Sequence, residues 1–192
     1  MKIRCKWAEM GSLIDIEYHD NEWAVPVHDD YKLFEFLLLE TAQAGLSWSI
    51  ILKKREAYRK AFDGFDVGKI ARYDQAKLQQ LLANPSIIRN KLKIQSVVKN
   101  ANAFIKVQHE YGTFDSYLWS FVGGEPEQND WDDWKDVPSR TQISDCLSNN
   151  LKKKGFTFVG SITCYSMMQA IGMVNDHITS CFRYLELKKR ND

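Results

Sequence analysis

The sequence predicts an all-α protein. Several long segments repeat apolar residues at helical spacing, and no stretch shows the sustained apolar/polar alternation and hairpin turns of a half-buried sheet. The 192 residues, 44% of them apolar and 12% aromatic, are sufficient to bury a sizeable core. Because neither an internal repeat nor a Gly- or Ser-rich linker divides the chain, we expect residues 1–192 to pack as a single unit.

Two helices are predicted in the first third of the chain. The pair Asp29–Asp30 is a good capping site ahead of an apolar run, which predicts a helix from Tyr31 to Ala44 that Gly45 ends. Ser47 is a suitable cap for a second helix from Trp48 to Phe62. Apolar residues of this second helix fall at core-facing spacing, while basic residues occupy its other face.

The rest of the chain continues the helical pattern. Asp74 caps a helix over Gln75–Ala83, which the Asn84–Pro85 pair breaks because proline cannot continue the hydrogen-bond ladder. A longer helix is predicted over Lys91–Tyr111, and Gly112 ends it. Further helices fit about Asp115–Phe121, Ile143–Lys154 and Ile162–Gly172.

The charge balance points to no global attraction for a polyanion. The 26 Lys and Arg residues against 25 Asp and Glu residues give a net charge of +1. Any nucleic-acid surface must therefore be local, and the basic clusters 53–60, 89–93 and 152–154 are candidates, although solvated helix faces also explain such runs. The acidic segment Gly123–Pro138 is expected to face away from DNA.

The sequence carries no sign of membrane insertion or export. Its longest unbroken apolar stretch, Phe36–Leu39, is far shorter than the ~20 residues that cross a bilayer. The charged residues 2–6 are not followed by an apolar segment, so no secretory signal is recognised. We therefore expect a cytoplasmic protein without a membrane partner, and a monomer.

Four zinc-type side chains lie near the two ends of the chain: Cys5, His19, His177 and Cys181. If the last segment is helical, the two C-terminal ones lie four residues apart on one face and can reach one metal ion. Thiolate and imidazole suit zinc, and four protein ligands leave no open position for water, which is typical of a structural site. The alternative is two buried cysteines and two ordinary histidines. The two remaining cysteines, Cys146 and Cys164, are expected to be buried thiols.

Glu40 ends an apolar run and falls on the apolar face of its predicted helix. A carboxylate there is partly desolvated, so either a neighbouring polar side chain or a ligand must satisfy it. Four aromatic residues lie in the same quarter of the sequence, and they indicate either core filling or a slot for a flat cationic ligand. These residues are Trp7, Tyr18, Trp23 and Trp48.

Six sequence strings, taken in order, resemble the bacterial 3-methyladenine DNA glycosylase I family. The strings are Arg4–Trp7 (RCKW), Tyr18–Pro26 (YHDNEWAVP), Gln43–Trp48 (QAGLSW), Gly155–Gly160 (GFTFVG), Tyr165–Ala170 (YSMMQA) and Val174–His177 (VNDH). The resemblance spans roughly residues 4–184. It departs from the family at Ala24, where glycine is usual, and the superfamily's Leu-Pro-Gly-Val-Gly hairpin and following catalytic aspartate have no counterpart.

The resemblance implies a helix-hairpin-helix DNA glycosylase fold in a branch where zinc joins the termini. The helix-hairpin-helix would cover Gln75–Phe104, with its hairpin at Ser86–Lys91, and structural zinc would be bound by Cys5, His19, His177 and Cys181. The implied activity is hydrolysis of the N-glycosidic bond of 3-methyladenine in alkylated double-stranded DNA, without a lyase step and with free 3-methyladenine as product.

The resemblance also assigns roles to individual residues. Glu40 would select the cationic base, Trp48 would stack on it and Tyr18 would pack beside it, with Trp7 and Trp23 as further pocket walls. DNA contacts would come from Leu46, which fills the gap left by the flipped base, and from Gln43, Arg89, Lys91 and Lys93. Two other interpretations remain at this point: a zinc-stapled helical module that binds DNA without cutting any bond, and a zinc hydrolase, which four protein ligands disfavour.

Overall fold

A computed structural model of the protein describes residues 2–188. Within that range nearly all regular structure is helical, as the sequence predicts. The helices are α1 (Lys6–Glu9), α2 (Leu13–Asn21), α3 (Asp30–Gln43), α4 (Trp48–Ala61), α5 (Val67–Ile70), α6 (Gln75–Ala83), α7 (Lys91–Tyr111), α8 (Phe114–Trp119), α9 (Gln142–Lys153), α10 (Ser161–Ala170) and α11 (Phe182–Lys188). Among the described residues, no helix is both long and apolar enough to cross a membrane.

Helices α3 and α6 begin at the capping bonds that the sequence predicts, whereas the Ser47 side chain makes no capping hydrogen bond at the start of α4. The Asp29 carboxylate accepts a hydrogen bond from the Lys32 backbone N–H at 2.8 Å, and Asp74 makes the same contact at the start of α6. Gly112, with a φ of 86°, ends α7. The predicted bounds of these helices agree with the structure to within one or two residues because the caps satisfy backbone groups that the helix ends leave unpaired.

Helix α3 is the centre of the core. Its ten consecutive residues from Leu33 to Ala42 are all buried. α4, α7, α8 and α10 all pack against it. A helix that is covered on every side can carry few polar groups, and the two carboxylates on this stretch, Glu35 and Glu40, therefore need an explanation.

Several short elements are not predicted by the sequence. Helices α1, α2 and α5 are missing from the prediction, although the side chains of Ser12 and Asp15 form a capping box at the start of α2. Two strands of two residues each, β1 (Glu127–Gln128) and β2 (Val174–Asn175), pair in parallel. This pairing ties the acidic segment to the residues that precede His177.

The chain after Trp23 packs closely against the end of α10. The Ala24 N–H donates to the Gln169 carbonyl, and the Val27 N–H donates to the Ile171 carbonyl, both at 3.0 Å. At Gly172, whose φ is +75°, a Cβ atom would lie 2.4 Å from the Val25 backbone. Only glycine fits this close approach without moving the neighbouring chain.

Candidate active site and metal cluster

A cavity of about 370 Å³ opens beside the C-terminal half of α3. A volume of this size is within the range of small-molecule sites. The sequence-predicted residues Trp7, Tyr18, Trp23, Glu40, Gln43 and Trp48 all line it. We call this cavity the base pocket, after the role that the family resemblance implies for these residues. The structure thus brings together the aromatic residues and the carboxylate that the sequence singles out.

Glu40 and Glu35 lie on the same helix in opposite electrostatic environments. Glu35 is paired, because its carboxylate accepts from Arg55 at 2.6 Å and from Arg59 at 2.9 Å. Glu40 is 3% exposed, and its Oε2 atom has no hydrogen-bond partner within the described chain. Burial raises the pKa of Glu40 to about 8. A buried acceptor without a partner on a pocket wall can accept a hydrogen bond from a ligand that enters the pocket.

The aromatic residues form a continuous wall. The rings of Tyr18 and Trp48 have centroids 5.5 Å apart, and Trp7 meets Trp23 edge to face at 5.1 Å. The indole Nε1 of Trp48 is buried, and Trp48 interacts with the Tyr18 hydroxyl, an interaction that favours the ionised form of Tyr18 but is outweighed by burial. Burial and the nearby charge of Glu40 raise the pKa of Tyr18, so its hydroxyl stays protonated at neutral pH. The pocket therefore offers flat apolar faces, hydrogen-bond donors and one carboxylate.

Other lining residues are missed by the sequence analysis. They are Trp134, Lys135 and Val137 from the acidic segment, and Ser166, Gln169, Asp176 and Ile178 from the C-terminal part. The C-terminal part of the acidic segment therefore borders the base pocket, a placement that the sequence analysis does not anticipate. Ser166, Gln169 and Asp176 lie within the sequence strings that carry the family resemblance. Membership in those strings is the signal by which the sequence could have identified them.

The buried carboxylate of Asp176 explains how the acidic segment reaches the pocket. Its Oδ1 accepts from Asn129 at 2.7 Å and from the Trp131 indole at 2.8 Å. Its Oδ2 accepts from Tyr165 at 2.7 Å and from Gln169 at 2.8 Å. Four hydrogen bonds satisfy this carboxylate, in contrast to Glu40, so we assign Asp176 a structural role.

Cys5, His19, His177 and Cys181 converge, and their candidate ligand atoms all lie within 4.8 Å of one another. We call them the Cys/His cluster. All four residues are buried. The last two do not lie in a helix, the condition under which the sequence analysis placed them on one face, but in the irregular segment before α11. This segment nevertheless places the Cys181 Sγ 3.5 Å from the His177 Nδ1.

The two remaining cysteines lie outside the cluster. Cys164 is buried, as the sequence predicts. Cys146 is exposed, which corrects the expectation of a buried thiol. It lies on α9, whose core-facing positions are taken by residues such as Leu147 and Leu151, so its own position falls on the outer side of the helix.

Second contacts orient both imidazoles of the Cys/His cluster. The His19 Nδ1 lies 2.8 Å from the Asp20 carboxylate, and the His177 Nε2 lies 3.3 Å from the Trp23 carbonyl. The acceptor at each of these atoms favours the tautomer with the ring proton there, and in that tautomer the other ring nitrogen of each histidine presents its lone pair to the cluster. The cluster can therefore hold a metal ion with all four residues.

The candidate DNA contacts lie around the end of α3. Leu46 is 37% exposed in the turn between α3 and α4. Arg89 and Lys91 are exposed where the loop between α6 and α7 ends. Lys93 differs, since its ammonium donates to the carbonyls of Ala42 and Ala44. Of these basic residues, Lys93 is thus the one that the structure joins to the turn carrying Leu46.

Comparison with known proteins gives a consistent result. The family model described as methyladenine glycosylase matches residues 7–184. A DNA-3-methyladenine glycosylase of Haemophilus influenzae is 44% identical over 94% of this chain and 97% of its own. A crystal structure of 3-methyladenine DNA glycosylase I superposes with a TM-score of 0.91 at 47% identity, covering 94% of this chain and 98% of that one. A Tyr-to-Phe variant of 3-methyladenine DNA glycosylase I, in complex with 3-methyladenine, has a TM-score of 0.90 at 33% identity, covering 93% and 96%.

Proposed function

This chain belongs to the methyladenine glycosylase family, and from that premise we propose how its residues act. The protein is a DNA-3-methyladenine glycosylase, a hydrolase that releases 3-methyladenine from alkylated double-stranded DNA. The extent of the match, residues 7–184, supports one glycosylase unit over residues 1–192. It also favours the enzyme over a helical module that binds DNA without cutting a bond.

The observation that carries the proposal is the unpaired carboxylate of Glu40 in an aromatic pocket. Methylation at N3 places a positive charge on adenine, so the damaged base differs from the normal one chiefly in charge. A cation beside Glu40 favours its ionised form and offsets the desolvation that raises its pKa. Charge-assisted hydrogen bonds are roughly twice as strong as neutral ones, so neutral adenine gains less in the same place.

The chemistry needs little acid catalysis. The bond between the base and C1′ breaks with its electron pair going to the base, whose positive charge makes it a good leaving group. The base leaves as neutral 3-methyladenine, and a water molecule adds to the oxocarbenium-like sugar and loses a proton to the solvent. The protein must flip the nucleotide, hold the cationic base and admit water. We therefore assign Glu40 to base selection and not to the role of general base.

The aromatic residues and the turn after α3 divide the remaining work. Trp48 stacks on the flipped base and Tyr18 packs beside it, while Trp7 and Trp23 close the pocket wall. Leu46, with Gln43 next to the pocket, fills the gap that the flipped base leaves in the duplex. Arg89 and Lys91 lie in the region 75–104 that we propose as a helix-hairpin-helix, and they contact phosphates.

We propose zinc as the metal of the Cys/His cluster. Tetrahedral zinc with Zn–S bonds of about 2.3 Å and Zn–N bonds of about 2.0–2.1 Å requires S···N edges of about 3.5 Å. The Sγ of Cys5 lies 3.5 Å from the His177 Nδ1, and the Sγ of Cys181 lies 3.5 Å from the His19 Nε2. The donor set thus fits zinc, and bound zinc would stabilise the contact between the two ends of the chain. Four protein ligands leave no position for activated water, so we assign the site a structural role.

The decisive experiment measures release of free 3-methyladenine from alkylated duplex DNA. We expect base release from the wild-type protein and a large loss in Glu40→Ala. A DNA-binding module without activity would bind the duplex and release no base, and that result would contradict the proposed function. Cys146 is an exposed thiol outside both sites, and its replacement is the matched control for effects of mutation and purification as such.

A further inference from the structure

The side chain of Lys93 bonds to the end of another helix. Its Nζ donates to the Ala42 carbonyl at 2.9 Å and to the Ala44 carbonyl at 2.5 Å. These carbonyls lie at the C-terminal end of α3, where a helix leaves carbonyl groups without partners. Helix α3 has no basic residue in its own last turn. Lys93 therefore supplies, from α7, the positive charge that this end of the helix dipole favours.

The 44–47 turn, which carries Leu46, has few other contacts. All four of its residues are exposed. Gly45 has a φ of +83°, with open space around the position of a Cβ atom. Within residues 2–188, the bond from Lys93 to Ala44 is the only hydrogen bond that joins this turn to a distant part of the chain. An exposed turn with a single long-range tether depends on that tether for its position.

The neighbouring cations behave differently. The side chains of Arg89 and Lys91 are exposed and make no hydrogen bond or ion pair within the part of the chain that the structure describes. They are free to contact phosphates. Lys93 is half-buried, and its donors are directed to backbone carbonyls. Lys93 thus joins the start of α7 to the end of α3, and we call its two hydrogen bonds to these carbonyls the Lys93 clamp.

We propose that Lys93 is a positioning residue for base flipping. By bridging the carbonyls of Ala42 and Ala44, it holds the 44–47 turn against the start of α7. When the loop between α6 and α7 docks on DNA, Leu46 is then already placed to enter the duplex. This inference rests on the proposed function, since it requires a base to be flipped.

The clamp acts on the turn and not on base recognition. Lys93 bonds to the last residue of the buried stretch Leu33–Ala42, whereas Glu40 is held within that stretch by the packing of α3 against α4, α7, α8 and α10. Loss of the clamp should therefore impair nucleotide flipping while the pocket still binds the free base. A displacement of about 1 Å in a positioned group reduces a rate by up to a hundredfold.

The test compares Lys93→Met, Lys93→Arg and the charge-matched control Lys106→Met, which removes an exposed cation further along α7. Three quantities are measured: single-turnover release of 3-methyladenine, binding of free 3-methyladenine by calorimetry, and fluorescence of 2-aminopurine placed at the flipped position. We expect Lys93→Met to lower the release rate roughly tenfold to a hundredfold and to reduce the fluorescence change. Free-base affinity should stay within about twofold of wild type, and Lys93→Arg should recover most of the rate, since its fork can also donate to two carbonyls.

Two results would overturn the proposal. The first is wild-type release and fluorescence in Lys93→Met. The second is a loss of DNA affinity with a reduced salt slope and an unchanged release rate at saturating protein, which would make Lys93 a phosphate contact. Binding of free 3-methyladenine also shows whether a variant is folded. If Lys93→Met does not fold, the same measurements on Lys93→Arg still test the proposal. Failure of the proposed function itself would be seen separately, as absent base release by the wild-type protein.

Discussion

The imidazole of His177 meets the indole of Trp23 edge to face, with ring centroids 4.6 Å apart. Trp23 lines the base pocket, and His177 belongs to the Cys/His cluster. The pocket and the cluster therefore share a wall. Whatever fixes the histidine also fixes one side of the pocket, although the two sites carry different chemistry.

Replacing Glu40 tests base selection. Glu40→Gln should weaken binding of free 3-methyladenine by roughly tenfold to a hundredfold, since a charge-assisted hydrogen bond is worth about 1.5–3 kcal/mol. Glu40→Ala should weaken it more. Affinity for undamaged DNA should change little. Calorimetric titration beside melting curves checks this, and unaltered base affinity in a well-folded Glu40→Ala protein would exclude the assigned role.

The stability of the protein should depend on pH through Glu40. Its pKa is about 8 in the folded protein against 4.5 for an unperturbed glutamate, so the folded state binds more protons than the unfolded state between these values. Stability should therefore fall as pH rises from about 4.5 to about 8, by at most about 1.4 kcal/mol per pH unit. Glu40→Gln lacks this titrating group. The free energy of unfolding of Glu40→Gln relative to wild type, measured with urea, should therefore rise with pH. Parallel pH profiles for the two proteins would contradict the prediction.

The metal assignment predicts one zinc ion per chain. Elemental analysis of protein purified without added metal should find it, and Cys181→Ser should reduce the content well below one equivalent. Cys146→Ser is the matched control and should retain the ion, because that thiol is exposed and outside the cluster. Chelation should lower the melting temperature. A Cys181→Ser protein that keeps stoichiometric zinc would refute the ligand set.

Charge reversal tests the DNA-binding face. Lys91→Glu or Arg89→Glu should lower duplex affinity and reduce the salt slope by about 1 for each phosphate that the protein no longer neutralises. Lys106→Glu, an exposed reversal further along α7, should have a much smaller effect. Filter binding over a series of salt concentrations measures both quantities. Equal effects for all three variants would indicate a nonspecific response to net charge and a different docking face.

Gly172→Ala should be strongly destabilising. The positive φ costs a non-glycine residue about 1–2 kcal/mol, and the overlap of its Cβ with the Val25–Pro26 backbone adds a further 1–3 kcal/mol, about the cost of overpacking. Gly123→Ala is the control, because Gly123 also has a positive φ, of +70°, but has open space around it. Denaturant unfolding should show a larger loss for Gly172→Ala. Equal losses would mean that the neighbouring chain shifts freely.

The sequence predicts what local chemistry determines. Helices α3 and α6 follow from the caps Asp29 and Asp74, each of which accepts a hydrogen bond from a backbone N–H three residues on. Helix α7 follows from its apolar spacing and from Gly112, which ends it. The base pocket is predicted in part, because Glu40 and its aromatic neighbours come from one stretch of chain and match a known family pattern. The other features of the fold and the site depend on contacts between residues that are far apart in the sequence.

The contribution of the acidic segment shows why such contacts escape prediction. Trp134 reaches the pocket because Trp131 bonds to Asp176 and because β1 pairs with β2, and each contact joins residues more than forty positions apart. No local pattern encodes them. The hydrogen bonds of Lys93 escape prediction for the same reason, since a basic residue beside exposed cations looks like another phosphate contact until the end of α3 is placed against it.

The Cys/His cluster also has a consequence for the order in which the chain folds. Cys5 and His177 are 172 positions apart, and His19 and Cys181 are 162 apart. During synthesis the N-terminal pair must wait for almost the entire chain before its partners exist, and contacts of such separation form late. The pocket wall at Trp23 packs on His177 and so is completed late as well. A truncated or interrupted chain would therefore present the aromatic residues without a finished pocket, and base excision would begin only once the last turn has closed on the first.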